Sequence, residues 1–264
     1  MVRAMIKALF FDIDGTLVSF DTHEIPLSTV HALSEAKLHG IRIFISTGRP
    51  KHFITNLNAI ENLIDGYVTT NGALSTIGNK TIRITAVHPD DLNEILRFVE
   101  TFCSPCILMG LAGIGILNRN EMFDDVICNM LKIDCSTYEK PIDELLRAPV
   151  LQITPFFSIE EERQAMLNAP NCTAVRWIEH FCDITSTEAD KGKGLAAIAQ
   201  AEGIDISETM AFGDGGNDIA IIQRAGIGVA MGNASDEVKT AADYVTTNID
   251  NDGVRNALLH FGII

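Results

Sequence analysis

The first apolar run of the chain, Ala8-Leu9-Phe10-Phe11, is short and unbroken, the pattern of a strand covered on both faces of a sheet. It stops abruptly at Asp12-Ile13-Asp14-Gly15-Thr16, where polar positions replace it. In "PLSTVHALSEAKLHG", Leu27, Val30 and Leu33 recur at helical spacing, with Pro26 at the start and Gly40 at the end. "IRIFIS", Ile41 to Ser46, reads as a second strand, and "YVTT" near Tyr67 as a third. Strand, helix and strand in this order predict parallel pairing through a right-handed crossover.

The C-terminal part has the same grammar. "GKGLAAIAQAEG" predicts a helix, "TMAFG" a strand, "IAIIQRAG" a helix, "IGVAM" a strand, "SDEVKTAA" a helix, "DYVTT" a strand and "GVRNALLHFG" a closing helix. Repeated βα units predict an α/β fold with a doubly wound, Rossmann-like parallel sheet. The middle reads differently: helices such as "PDDLNEILRFVETFC" lie among strands such as "VLQIT" and "TAVRWI". It predicts an inserted α+β domain over 82–188, with 1–81 and 189–264 forming the core.

Composition narrows the functional classes. The 264 residues suffice for one large or two ordinary domains, and 47% hydrophobic against 21% charged residues excludes bulk disorder. With 20 basic and 35 acidic residues the formal charge is −15, which argues against nucleic acid and anionic membrane surfaces. A small anion remains compatible, because a few cations or helix N-termini make a pocket locally positive. No apolar stretch reaches the ~18 residues of a membrane span, and the N-terminal run lacks a small-residue cleavage site. A soluble, cytoplasmic protein, monomeric or a small homo-oligomer, is the expectation. Cys103 and Cys106 form a CxxC around Ser104-Pro105, but no second pair supports zinc; the six cysteines read as buried or half-buried thiols.

Candidate chemistry gathers where strands end. In an open parallel sheet, ligands bind beyond the carboxyl ends of the strands. Four polar clusters fall there: "DIDGT" from Asp12, "STGR" from Ser46, "ADKGKG" around Lys191, and "FGDGGND" with Asp214, Asn217 and Asp218. Two unit charges about 4 Å apart interact by roughly 4 kcal/mol at an effective dielectric of ~20. Asp12, Asp14 and Asp214 brought together must therefore take up protons or a cation. An all-oxygen set with few protein ligands suits Mg²⁺, which keeps waters and shares oxygens with a phosphate. Thr47, the Gly48 backbone and Lys191 could cradle the anion, and one aspartate is free to attack phosphorus. A calcium EF-hand does not fit "DIDGT", since Gly15 falls at the fourth position and not the sixth.

"FFDIDGTL", "ISTGR", "DKGKGL" and "FGDGGNDIAII" resemble, in order and spacing, the four motifs of the haloacid dehalogenase (HAD) superfamily of phosphatases. The tail "GVAMGNASDEVKTAADYVTTNIDNDGV" and the early "TTNGA" are similar to its Cof-type subgroup, which carries a large α/β cap between motifs two and three. The resemblance implies a Mg²⁺-dependent phosphatase acting on a small phosphorylated metabolite, a sugar phosphate above all. By the same resemblance, Asp12 is the nucleophile that forms an aspartyl-phosphate. Asp14 protonates the leaving oxygen and then activates water, and its backbone carbonyl touches the metal. Thr47 and Lys191 hold phosphoryl oxygens, Asp214 ligates the metal, Asp218 acts through a metal-bound water, and Asn217 orients Lys191 or the phosphoryl group. Gly48 and Arg49 match the subgroup's "TGR", with Arg49 either at the substrate or tying helix to loop; Asn71 shapes the loop near the cap hinge. A dehalogenase does not use the second acid, so Asp14 favours C–O–P chemistry.

Two alternatives use the same residues: phosphotransfer to another metabolite, as in mutases, and a phosphoacceptor signalling module switched at Asp12. Other signals are weaker. The seven histidines do not cluster, and "GLAGIG" over 110–115 is not a dinucleotide fingerprint. Trp177, Glu179 and His180 are candidates for reading the leaving group, with a structural tryptophan as the competing reading.

Overall fold

The computed structural model describes residues 5–131 and 133–264, apart from the side chain of Trp177. Met1–Arg83 with Asp190–Ile264 form one compact unit, and Ile84–Ala189 form another. In chain order the strands of the first segment are β1 (Ala8–Phe11), β2 (Arg42–Ser46), β3 (Gly66–Thr69), β4 (Leu74–Ile77) and β5 (Lys80–Ile84). The central segment carries β6 (Cys106–Gly110), β7 (Gly113–Leu117), β8 (Val150–Pro155), β9 (Cys172–Ile178) and β10 (Phe181–Ser186). The chain then returns with β11 (Thr209–Gly213), β12 (Ile227–Ala230) and β13 (Tyr244–Val245).

The larger sheet has the order β13-β12-β11-β1-β2-β3-β4-β5. Strands from β13 through β3 pair in parallel, and β4 turns back antiparallel to β3. This is the doubly wound α/β core that the alternating pattern implies. The hairpin beyond β3 is not marked by an apolar run, because β4 and β5 carry Ser75, Thr76, Lys80, Thr81 and Arg83 among their apolar residues.

Both faces of β1 are covered, which explains its unbroken apolar sequence. On one face Leu9, Phe11, Ile43, Ile45 and Phe212 pack with Leu33, Ala36 and Leu258 of helices Leu27–Leu38 and Gly253–His260. On the other, Ala8, Phe10, Phe44 and Ala211 pack with Leu195, Ile198 and Ile221. Phe11 stacks on Phe212 at 4.6 Å and Phe10 on Phe44 at 4.9 Å, so each face of β1 is bolted to one neighbour. Full burial of each such side chain stabilises the fold by roughly 1.5–3 kcal/mol. The register sets Phe11 opposite Ile45 on one side and Phe212 on the other. Residues just past β1, β2 and β11 therefore leave the sheet at one common edge.

The second unit is a five-stranded sheet in the order β7-β6-β8-β10-β9, with antiparallel pairings. Helix Pro89–Thr101 begins with Pro89 at its first position and Asp90 and Asp91 in its first turn, which favours its positive N-terminal end. It buries Ile95 and Val99 against Leu108, Ile153 and Ile184. Helix Ile159–Met166 opens on a capping box between Ser158 and Glu161. Glu179 and His180 are exposed at the β9–β10 connection, and the Trp177 side chain lies outside the described residues. The six cysteines are all free; Cys106, Cys135, Cys172 and Cys182 are buried and Cys128 half-buried, but Cys103 is exposed, unlike the expectation from sequence. Among the described residues no helix is long and apolar enough to cross a membrane.

Candidate active site

Asp12 is the first residue beyond β1, and its backbone N–H still donates to the Phe212 carbonyl at 3.1 Å. The ladder thus runs one residue past the strand, and the sheet fixes Asp12 more tightly than a loop would. Thr47 leaves β2 in the same way, its N–H donating to the Val68 carbonyl of β3 at 2.8 Å. Asp214 follows β11 directly.

Lys191 is the first residue of helix Lys191–Glu202, whose N-cap is Asp190; the Asp190 carboxylate accepts the Lys193 N–H. The Lys191 side chain is fully buried and donates to Asp12 Oδ1 at 2.7 Å and to Asp218 Oδ1 at 2.5 Å. Asp218 Oδ2 in turn accepts the backbone N–H groups of Asp214 and Gly215, at 3.1 and 3.0 Å. Asp218 therefore joins the loop after β11 to the buried ammonium. Thr16, itself buried, donates its hydroxyl to Asp214 Oδ1 at 2.8 Å.

Asp12, Asp214 and Asp218 each offer a carboxylate oxygen within 4.8 Å of one another. No other grouping of three or more His, Cys, Asp or Glu able to hold a metal exists among the described residues. Fully ionised, these three carboxylates face the single Lys191 ammonium and leave an excess of two negative charges. Burial and then the neighbouring Asp218 hold the Asp12 carboxyl well above its ordinary range, with Lys191 only partly offsetting them. Burial likewise pushes Asp214 up to about 6, opposed by the Thr16 hydroxyl and reinforced by Asp218. For Lys191, burial favours the neutral amine, but the attraction of Asp12 and Asp218 outweighs it and raises its pKa above that of a free lysine.

The other candidates form two pairs beside this cluster. Arg49 Nε donates to Asp14 Oδ2 at 2.8 Å and Nη2 to Asp14 Oδ1 at 2.6 Å, a bidentate fork. Asn217 Nδ2 donates to Asn71 Oδ1 at 3.0 Å, and a Cβ on Gly48 would lie 3.1 Å from that same oxygen. Asn71 reaches this position because the turn after β3 has left-handed backbone at Thr70, Asn71 and Gly72, with φ of 53°, 50° and 92°. The Asn71 N–H donates to the Thr47 carbonyl and the Thr70 N–H to the Arg49 carbonyl, so this turn is tied to the loop after β2.

Three supporting residues carry no role in the sequence reading. Gly15 has φ of 82°, and a Cβ there would sit 2.3 Å from Asp214 Oδ2, so a side chain would displace that carboxylate. Thr16 holds Asp214 as described, and its place inside "DIDGT" was the only clue. Asn233 Nδ2 donates to the Gly15 carbonyl at 2.8 Å, while its Oδ1 accepts the Ile249 N–H at 3.0 Å. Both its contacts are with main chain far away in sequence, so no spacing rule singles it out.

A buried ammonium among carboxylates, at the carboxyl edge of a doubly wound sheet, defines a class that the comparisons identify. Residues 9–258 match the family model for haloacid dehalogenase-like hydrolases, and the chain belongs to that family. Among curated proteins it is 30% identical over 98% of both chains to "Putative phosphatase YkrA" of Bacillus subtilis strain 168. It is also 27% identical to phosphatase YwpJ of the same organism, over 97% of this chain and 99% of that one. Among solved structures it is similar to the HAD subclass IIB sugar phosphatase BT4131, with 45% identity, a TM-score of 0.87, and coverage of 98% of this chain and 100% of that one. BT1666 from Bacteroides thetaiotaomicron, a phosphatase of the same superfamily, gives 35% identity and a TM-score of 0.86, covering 98% and 96%.

Proposed function

We propose that the protein is a Mg²⁺-dependent phosphatase that hydrolyses a small phosphorylated metabolite through an aspartyl-phosphate on Asp12. The observation that carries this reading is the Lys191 ammonium bonded to Asp12 and Asp218 beside Asp214, with two negative charges left over. That excess matches one divalent cation, and an all-oxygen donor set matches Mg²⁺. Asp12, Asp214 and the backbone carbonyl of Asp14 would hold the ion. Both oxygens of Asp218 already accept hydrogen bonds, which favours a contact through water. When bound, Mg²⁺ neutralises charge on the phosphoryl oxygens.

The residues themselves supply the rest. An Asp12 carboxylate oxygen attacks phosphorus as the bond from phosphorus to the ester oxygen breaks, and Asp14 gives that oxygen its proton. Water then attacks the phosphoryl group, Asp14 takes a proton from it, and the bond to Asp12 breaks to release phosphate. Thr47 and Lys191 hold phosphoryl oxygens during both transfers, and Lys191 offsets the charge that builds up. Asn217 and Asn71 shape the rim of the phosphoryl site beside Gly48. The inserted unit Ile84–Ala189 would recognise the leaving group. A sugar phosphate is the preferred class because a sugar phosphatase matches the chain at 45% identity over nearly its whole length.

The test is hydrolysis of p-nitrophenyl phosphate and a panel of sugar phosphates with EDTA and with restored Mg²⁺. EDTA should abolish turnover and Mg²⁺ restore it, with hexose phosphates ahead of nucleotides. Full turnover in EDTA would exclude the mechanism.

A further inference from the structure

We infer that Arg49 is a positioning residue for Asp14 and not a ligand of the substrate phosphate. The inference rests on the phosphatase reading, because it assigns the partner of that reading's proton-transfer residue. Arg49 is hydrogen-bonded at all three guanidinium nitrogens. Its Nε and Nη2 take one Asp14 oxygen each, at 2.8 and 2.6 Å, and Nη1 donates to the Phe53 carbonyl at 3.3 Å. Its backbone N–H donates to Thr47 Oγ1 at 3.1 Å, and its carbonyl accepts the Thr70 N–H at 3.1 Å. These bonds use three of the five guanidinium N–H groups, and the edge formed by Nε and Nη2, the one suited to a bidentate anion, is filled by Asp14.

Asp14 needs such a partner. Its side chain is 38% exposed, and the chain turns at once into Gly15, so packing alone would leave the carboxylate free to rotate. Asp12 differs: it is buried and held by Lys191. A planar fork gripping both carboxylate oxygens fixes two torsions together, which a single ammonium cannot do. When Asp14 carries the proton for the leaving oxygen, one arm of the fork must give way, and the other keeps the carboxyl aimed. Arg49 thereby joins the loop after β2, which holds Thr47, to the acid on the loop after β1.

The experiment uses two esters that differ in their need for a proton. A sugar alkoxide leaves poorly without one, whereas p-nitrophenolate leaves readily. Steady-state kinetics of Arg49→Lys, Arg49→Gln, Asp14→Asn and the Arg49→Gln/Asp14→Asn double variant are measured on glucose 6-phosphate and p-nitrophenyl phosphate. The assignment predicts that each Arg49 variant loses at least about tenfold more kcat on the sugar ester than on the nitrophenyl ester, with KM nearly constant. Asp14→Asn should show the same asymmetry, and the double variant should be no slower than Asp14→Asn alone. A KM rise on both esters with kcat preserved would make Arg49 a substrate ligand and overturn the assignment. Equal kcat losses on both esters, or additive losses in the double variant, would overturn it as well. Failure of the underlying reading looks different: wild-type protein with Mg²⁺ would turn over neither ester.

Discussion

Lys191 Nζ lies 2.7 Å from Asp12 Oδ1, although 179 residues separate the two in sequence. The ammonium has no exposed surface, and its other carboxylate partner, Asp218, is equally buried. Removing the cation would leave that carboxylate facing Asp12 with nothing between them. Lys191→Met should therefore destabilise the metal-free protein by about 3–5 kcal/mol in urea denaturation at neutral pH. Adding Asp218→Asn should recover part of the loss. Additive losses in the double variant would show that the three side chains do not act as one charge cluster.

The pH dependence has a defined sign. Asp214 is held at about 6 against an ordinary 3.8, so between those values the folded protein keeps a proton that the unfolded chain gives up. This group's contribution is full below the unfolded value and is lost as pH rises through the folded one. Mg²⁺ must displace that proton in order to bind. The rise in Tm produced by Mg²⁺ should accordingly grow between about pH 5 and about pH 7.5, as read by scanning calorimetry. An increment that stays flat or shrinks over that range would separate Asp214 from metal binding.

Thr16 gives a finer test, because its buried hydroxyl donates directly to Asp214 Oδ1. Thr16→Val keeps the shape and removes the donor, which pulls the Asp214 carboxyl down. Mg²⁺ affinity, measured by calorimetric titration, should fall roughly tenfold, and the pH midpoint of binding should move up. Unchanged affinity would leave Thr16 a purely structural hydroxyl.

Much of this architecture is written locally. The unbroken run Ala8 to Phe11 marks a doubly covered strand, and the polar clusters that follow β1, β2 and β11 leave the sheet at the same edge, because those strands are parallel and in register. Asp12, Asp214 and Asp218 could thus be brought together from motif order, whereas Lys191 starts a helix that follows β10 of the other sheet, and the strand-end rule does not place it. The contacts that hold them could not. Asn233 acts on the main chain of Gly15, a relation set only by the finished fold. The fork from Arg49 to Asp14 joins two loops whose approach depends on the turn at Thr70 and Asn71. The β4–β5 hairpin escapes notice for a different reason, since both its strands carry polar residues and lack the apolar signature of β1.

Replacing Asp12 with Asn should remove turnover without harming the fold. The substitution keeps the shape and an oxygen for Lys191 while deleting a charge that burial and Asp218 disfavour. Turnover should drop at least about a thousandfold, as expected for loss of a nucleophile, while the metal-free Tm stays level or rises. A variant that keeps substantial activity would require another nucleophile.

The most direct measurement traps the intermediate. Wild-type protein mixed with excess substrate and Mg²⁺ is quenched in acid within the first turnover, digested, and sequenced by mass spectrometry. The peptide containing Asp12 should carry one phosphoryl group on that side chain, and Asp12→Asn should carry none. Release of phosphate with Asp12 never labelled, or with the label on another residue, would contradict the account.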